Sequence, residues 1–248
     1  MRFKDRYAAM KNRQAKDWWT ITFGDPLSWI ILGVIGDYKW VTPIGITWLS
    51  FFAKMIPAGL MVTNDSIAII AAAISLQFGQ VLDSMDGNLA RYRGQATLKG
   101  GFLDRVLDGT GFIFVMAGFS WLVYQNGGEP YYLLIGPMTS AFYLVICYVY
   151  WTIAYMEQKY IGRGQMIKPG NNVRSIVHIP TWKYMLRGQK KLFSFHQADF
   201  YFWIGLGLIL EIPEVIIWLL FVVLSIRVFE RIKSRSRYLG SLDKDIYK

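Results

Sequence analysis

Cysteine is almost absent from this chain of 248 residues: Cys147 stands alone, inside a long apolar stretch. One thiol leaves neither an intrachain disulfide framework nor a thiolate metal cluster, and a small apolar helix residue is a sufficient reading of it. Residues 1–24 are charged throughout and lack a central apolar run, so no cleavable signal peptide is expected there. Internal repeats and low-complexity tracts are also missing. Acidic residues are the scarcer charge, 17 against 27 Lys and Arg, for a net charge of +10. Such an excess suits nucleic acid, but its distribution argues against that partner. Lys and Arg occupy the first 42 residues, the 91–99 turn, the 159–191 loop and the tail after 226, whereas the turns at 62–66, 125–130 and 211–214 hold none. Alternation of this kind is topological, and the positive-inside rule assigns both termini and the two basic loops to the cytosol.

What the chain has in abundance is apolar surface, 54% hydrophobic and 17% aromatic residues, too much for an ordinary soluble domain. A helix crossing the hydrocarbon core needs about 20 mainly apolar residues. Six stretches qualify, near 43–62, 66–86, 101–124, 131–156, 194–212 and 213–232. The expected fold class is therefore all-α integral membrane, with six transmembrane helices and N-terminal amphipathic, juxtamembrane helices. The expected divisions are interfacial helices over 1–42, a catalytic membrane bundle over 43–232 with a long cytosolic loop at 159–193, and a basic cytosolic tail over 233–248 that meets anionic lipid. In the first division, Phe3, Tyr7 and Met10 recur at helical spacing before Trp18 and Trp19, which suits a helix on the membrane surface. Asp25 and Pro26 open a second, shorter segment that ends at Gly36 and Asp37. Gly162, Gly164, Pro169, Gly170 and Pro180 punctuate the long loop, which reads as irregular.

Two positions in the first span stand out. A charge near mid-membrane costs roughly 3 kcal/mol, so Lys54 must snorkel or find a partner inside the bundle. Pro57 interrupts the backbone ladder three residues later.

The chemistry concentrates in DSMDGNLARYRGQATLKGGFLDRVLD, residues 83–108. Asp83 and Asp86 are three apart, Asp104 and Asp108 four apart, so each pair lies on one helical face. A turn from about 93 to 99 would make the two helices antiparallel neighbours, bringing four carboxylates to the cytosolic end of the bundle. Solvated acids paired with Arg91, Arg93 and Arg105 are the plain alternative. Four like charges gathered at membrane depth need more compensation than that, and an all-oxygen ligand set suits a hard divalent ion, Mg2+ or Mn2+, two of which would neutralise four carboxylates. Gly87 follows Asp83 by one turn and Ala90 follows Asp86 by one turn, leaving a bare helix surface on which a flat ligand could lie or a neighbouring helix could pack. Arg91 offers a planar, permanently charged donor suited to phosphate.

These residues resemble the CDP-alcohol phosphotransferase family, whose pattern reads Asp, two residues, Asp-Gly, two residues, Ala-Arg, eight residues, Gly, three residues, Asp, three residues, Asp. Asp83, Asp86, Gly87, Ala90, Arg91, Gly100, Asp104 and Asp108 fill every specified position. The resemblance extends to the six-helix plan and to the amphipathic segment before the first span. One departure occurs where members often carry Pro-Asn, two residues and Thr: Pro43 and Thr47 fit, but Ile44 replaces Asn and removes an amide beside the nucleotide.

The resemblance implies transfer of a phosphoalcohol from a CDP-alcohol donor to a hydroxyl acceptor, with release of CMP and formation of a phosphodiester. It assigns Asp83, Asp86 and Asp104 to metal, with Asp108 as a further ligand and candidate base. Asp83, Gly87, Ala90, Arg91 and Gly100 would hold the cytidine diphosphate part. It also implies a homodimer among membrane lipids, and a cell-membrane location with a cytosolic active site. For the acceptor, Lys54, Arg105, Lys159, Arg163, His196 and Asp199 are the candidates at the cytosolic mouth, a basic set that favours a phosphorylated polyol, although topology and lipid contact also account for the loop cations. His196 and Asp199, three apart, read more simply as a local hydrogen-bonded pair. Two rival readings remain. An intramembrane prenyltransferase would need a second aspartate-rich cluster, and none follows Asp108. A divalent-cation transporter would place acids near the midplane of several helices.

Overall fold

The computed structural model describes residues 2–11, 15, 17–161, 179–193 and 195–246. All regular structure among them is helical: α1 (Phe3–Met10), a π-helical turn (Thr20–Gly24), α2 (Asp25–Ile35), α3 (Pro43–Val62), α4 (Ser66–Tyr92), α5 (Leu98–Gln125), α6 (Tyr132–Met156) with a π-helical continuation (Glu157–Ile161), α7 (Thr181–Gln189), α8 (Gln197–Ile209) and α9 (Pro213–Ile246).

Four of these runs, α3, α4, α5 and Tyr132–Tyr160, are long and apolar enough to cross a membrane. The remaining two expected spans differ. Helix α8 has 13 residues, about 20 Å at 1.5 Å per residue. Helix α9 has 34 residues, but Arg227, Glu230 and Arg231 interrupt its apolar half.

The starts of the long helices follow from their first residues. Thr42 accepts the Gly45 amide at 3.1 Å and Pro43, which has no amide to satisfy, opens α3. Asp65 accepts the Ala68 amide at 2.9 Å and opens α4. Thr97 accepts the Gly100 amide at 3.0 Å and starts α5 three residues before the apolar run expected from 101. Helix α3 continues through Pro57, whose ring nitrogen leaves the Ala53 carbonyl without its usual donor. Ser75 of α4 supplies one instead, its Oγ donating to Ala53 O at 2.8 Å.

Helix α3 packs against both α4 and α5, while α4 and α5 make few contacts with each other. The two aspartate helices are therefore joined in sequence but held apart by α3, which corrects the expectation that they are direct neighbours. A turn with Gly94 at φ +63° connects them. Beyond this trio, α6 packs on α5 and α9, and α8 on α4 and α9. Their shared core includes Leu76, Phe112, Met116, Phe119, Tyr201, Ile204 and Leu220.

The N-terminal segments sit on the other end of α4, where a second core gathers Met10, Trp18, Trp19, Trp29, Met85, Leu89 and Tyr184. Trp18 and Trp19 are thus buried within the protein, while Leu27, Ile30 and Val34 on the outer face of α2 are exposed. Polar clamps fasten this layer. Arg93 donates to the carbonyls of Gly36, Tyr38 and Val41, and Arg6 and Tyr92 both donate to Asp37. Those two hydrogen bonds hold the Asp37 carboxyl below its ordinary range. In the long loop, residues 162–178 lie outside the described residues, so the reading of Gly162, Gly164, Pro169 and Gly170 does too. The stretch after Pro180 is not irregular: it forms α7, whose Tyr184 is buried against Trp29 with ring centroids 5.3 Å apart.

Candidate active site

Asp83 on α4 and Asp104 and Asp108 on α5 bring their carboxylates together, one oxygen from each lying within 4.8 Å of the others. Between the two helices, α3 contributes Lys54. Its ammonium lies 2.7 Å from Asp83 Oδ1 and 2.7 Å from Asp108 Oδ1, with a side chain only 2% exposed. The mid-helix lysine thus has its partners inside the bundle. Burial of one cation with two anions lowers the electrostatic penalty of each, but it leaves the group net negative.

Asp86 stands one turn further along α4 and is buried separately. Thr47 of α3 donates to its Oδ2 at 2.6 Å, a charge-assisted bond that fixes the carboxylate toward α3. Asp86 therefore lies on the same helix face as Asp83 but outside the three-carboxylate group.

The bare strip beside the aspartates is partly covered by Arg91, whose guanidinium folds back so that a Cβ at Gly87 would lie 3.1 Å from Arg91 Nη1. Arg91 Nη2 donates to Asn88 Oδ1 at 2.7 Å. Asn88 is fully buried, and its Nδ2 donates to Ser28 Oγ at 2.7 Å and Asp25 Oδ1 at 3.2 Å. Asp25 also accepts from Tyr184 Oη at 2.7 Å. A polar chain thus runs from α7 through α2 to the arginine at the C-terminal end of α4. Ala90 is half-buried on that end of the helix, and Gly100 lies in the first turn of α5 beneath the Thr97 cap.

The other candidates are dispersed. Arg105 is on the outer side of α5, donating to Gly101 O at 2.6 Å with its guanidinium carbon 4.6 Å from the centroid of Trp151. Lys159 lies over the rings of Tyr155 and Tyr160. Asp199 is fully buried and accepts two backbone amides, from His196 at 2.9 Å and from Trp19 at 2.9 Å, so it caps α8 and tethers the N-terminal layer. Arg163 lies outside the described residues. Among the described residues of this set, only Lys54 meets the carboxylates directly.

Sequence reasoning gave Thr47 no role of its own and missed Asn88, Asp25, Ser28, Tyr184 and Tyr201. Thr47 had a usable signal, since it is the retained half of the Pro-Asn pattern at the start of α3. The others sit at positions whose residue type is ordinary for a helix, and only their distant partners mark them.

Helices long and apolar enough to cross a membrane, carrying converging carboxylates and a buried counter-ion, define a polar site able to hold a cation. The profile of the CDP-alcohol phosphatidyltransferase family matches residues 40–226, and the chain belongs to that family. It is accordingly a transferase of phosphate-containing groups. No curated protein matches the chain.

Proposed function

We propose that the protein transfers a phosphoalcohol from a CDP-alcohol to a hydroxyl acceptor, releasing CMP and forming a phosphodiester. The observation that carries this reading is the meeting of Asp83, Asp104 and Asp108 within 4.8 Å, from two consecutive helices that α3 holds apart. Three carboxylates with oxygen donors fit a hard divalent ion, Mg2+ or Mn2+, and Asp86, one turn along α4 and bonded to Thr47, is the candidate fourth ligand. The bound ions would screen the diphosphate and stabilise CMP as it leaves.

The chain's own groups then have distinct tasks. Arg91, held by Asn88, donates to the diphosphate, and Gly87, Ala90 and Gly100 leave room for the cytidine part. Asp108 takes the acceptor hydroxyl's proton on its carboxylate. The acceptor oxygen bonds to the phosphorus carrying the alcohol, and the bond from that phosphorus to the CMP oxygen breaks.

The wider reading follows the basic loops and the family plan. Helices α8 and α9 complete a six-span bundle in the cell membrane, with the site and both termini on the cytosolic side and a second copy as partner. A phosphorylated polyol is the favoured acceptor, with Lys54, Arg105, Lys159, Arg163 and His196 as its candidate contacts. Asp199 enters that set only if its backbone bonds open.

Purified protein should release CMP from a CDP-alcohol and acceptor panel only with divalent metal, and Asp108→Asn should lower turnover by at least about 100-fold, the scale of general-base removal. Undiminished release after chelation would defeat the reading. Mass-spectrometric identification of the product names the acceptor class.

A further inference from the structure

Among the described residues, Lys54 is the one buried lysine or arginine, and the bundle is shaped around its stem. A Cβ on Gly79 of α4 would lie 2.9 Å from Lys54 Cγ, and one on Gly111 of α5 would lie 3.9 Å from Lys54 Cβ. The two glycines open a slot in which the four-carbon stem can turn. On the far side of that slot stands Tyr201 of α8, fully buried, its ring centroid 5.7 Å from the ammonium. Its hydroxyl is 3.7 Å from the Cβ position of Gly111 and has no hydrogen-bond partner among the described residues. A buried hydroxyl left in that state calls for an explanation, because nearly all such groups are paired.

We infer that Lys54 is an internal counter-ion with two stations: the Asp83 and Asp108 carboxylates while these lack a divalent ion, and the Tyr201 hydroxyl oxygen once a divalent ion takes them. The inference rests on the metal-site reading above. Its physical basis is competition for the same oxygens. An ammonium 2.7 Å from each of two carboxylates occupies the space a divalent ion needs, and the two cations repel at that range in a low-dielectric interior. Without the lysine, however, the empty site would hold converging anions with no cation among them, a costly arrangement at membrane depth. A lysine that stays charged and changes partner meets both requirements. Its flexible stem allows the move, and the Tyr201 oxygen, with a free lone pair, can accept from the displaced ammonium.

The test is Mn2+ binding to the detergent-purified full chain, read from the electron paramagnetic resonance signal of unbound Mn2+. Lys54→Met removes the competitor and should tighten Mn2+ binding by at least about ten-fold. Tyr201→Phe removes the second station and should weaken binding several-fold, and the same change in the Lys54→Met background should do nothing further. The Tyr201→Phe chain keeps its shape, so it carries the test even if Lys54→Met does not fold: unchanged affinity in Tyr201→Phe overturns the inference, as does equal or weaker binding in Lys54→Met. Asp104→Asn separates this from the reading beneath it. Wild-type affinity in Asp104→Asn would show that these aspartates are not the metal site and remove both.

Discussion

Arg91 owes its position to an amide. Asn88 uses both hydrogens of Nδ2 on the buried Ser28 and Asp25 and offers Oδ1 to the guanidinium, so its orientation is fully determined. Asn88→Ala should lower stability by about 1 to 3 kcal/mol, the usual effect of leaving buried polar groups without a partner. On the proposed role of Arg91 it should also raise KM for the CDP-alcohol more than it lowers kcat, since a loosened guanidinium binds less well without altering the proton transfer at Asp108. Thermal unfolding and steady-state kinetics of the same variant check both. Residues of this kind show where the sequence was silent. The eight patterned positions were readable because fixed spacing on a helix gives geometry directly. Asn88 falls between patterned positions, and its partners are 60 and 63 residues away. Lys54 was half legible: a buried charge demands a partner, but nothing local says that the partner is a pair of aspartates from two other helices.

Helix α3 is the element on which the site depends, since it separates α4 and α5 and carries both Thr47 and Lys54 between them. Its approach to α5 is close. A Cβ on Gly118 would lie 2.6 Å from the Ala58 carbonyl oxygen and 2.9 Å from its Cα, both backbone atoms that cannot turn aside. Gly118→Val should therefore push the helices apart, with a loss of about 1 to 3 kcal/mol or more from overpacking. It should reduce CMP release although residue 118 is nearly three turns beyond Asp108. Measuring unfolding and turnover together distinguishes that transmitted shift from a merely weakened fold. The existence of the four long helices was legible from hydropathy, because lipid demands long apolar runs. Their neighbours were not, because periodicity identifies a buried face without naming what covers it. Helix α7 was hidden for a related reason: Lys183 and Arg187 dominate a short stretch whose one large buried side chain, Tyr184, finds its partners in α2 and at Ala15.

For the whole molecule, the distribution of Lys and Arg is the strongest guide to orientation, and it makes an accessible prediction. In a Cys147→Ala background, a cysteine introduced as Ala96→Cys should react with a membrane-impermeant maleimide only from the cytosolic side, and Asn126→Cys only from the opposite side. Labelling of intact cells against inverted vesicles reads the difference, and the reverse pattern would move the proposed site to the other face. The composition indicated the membrane class from the outset. It did not indicate that the N-terminal layer is closed by residues from the far end of the chain. Trp19 donates its amide to Asp199, 180 residues later, and Trp18 reaches Gln189. A ribosome therefore releases the first tryptophans long before Gln189 and Asp199 exist to receive them. During synthesis this layer stays unfinished until α7 and α8 arrive and close it.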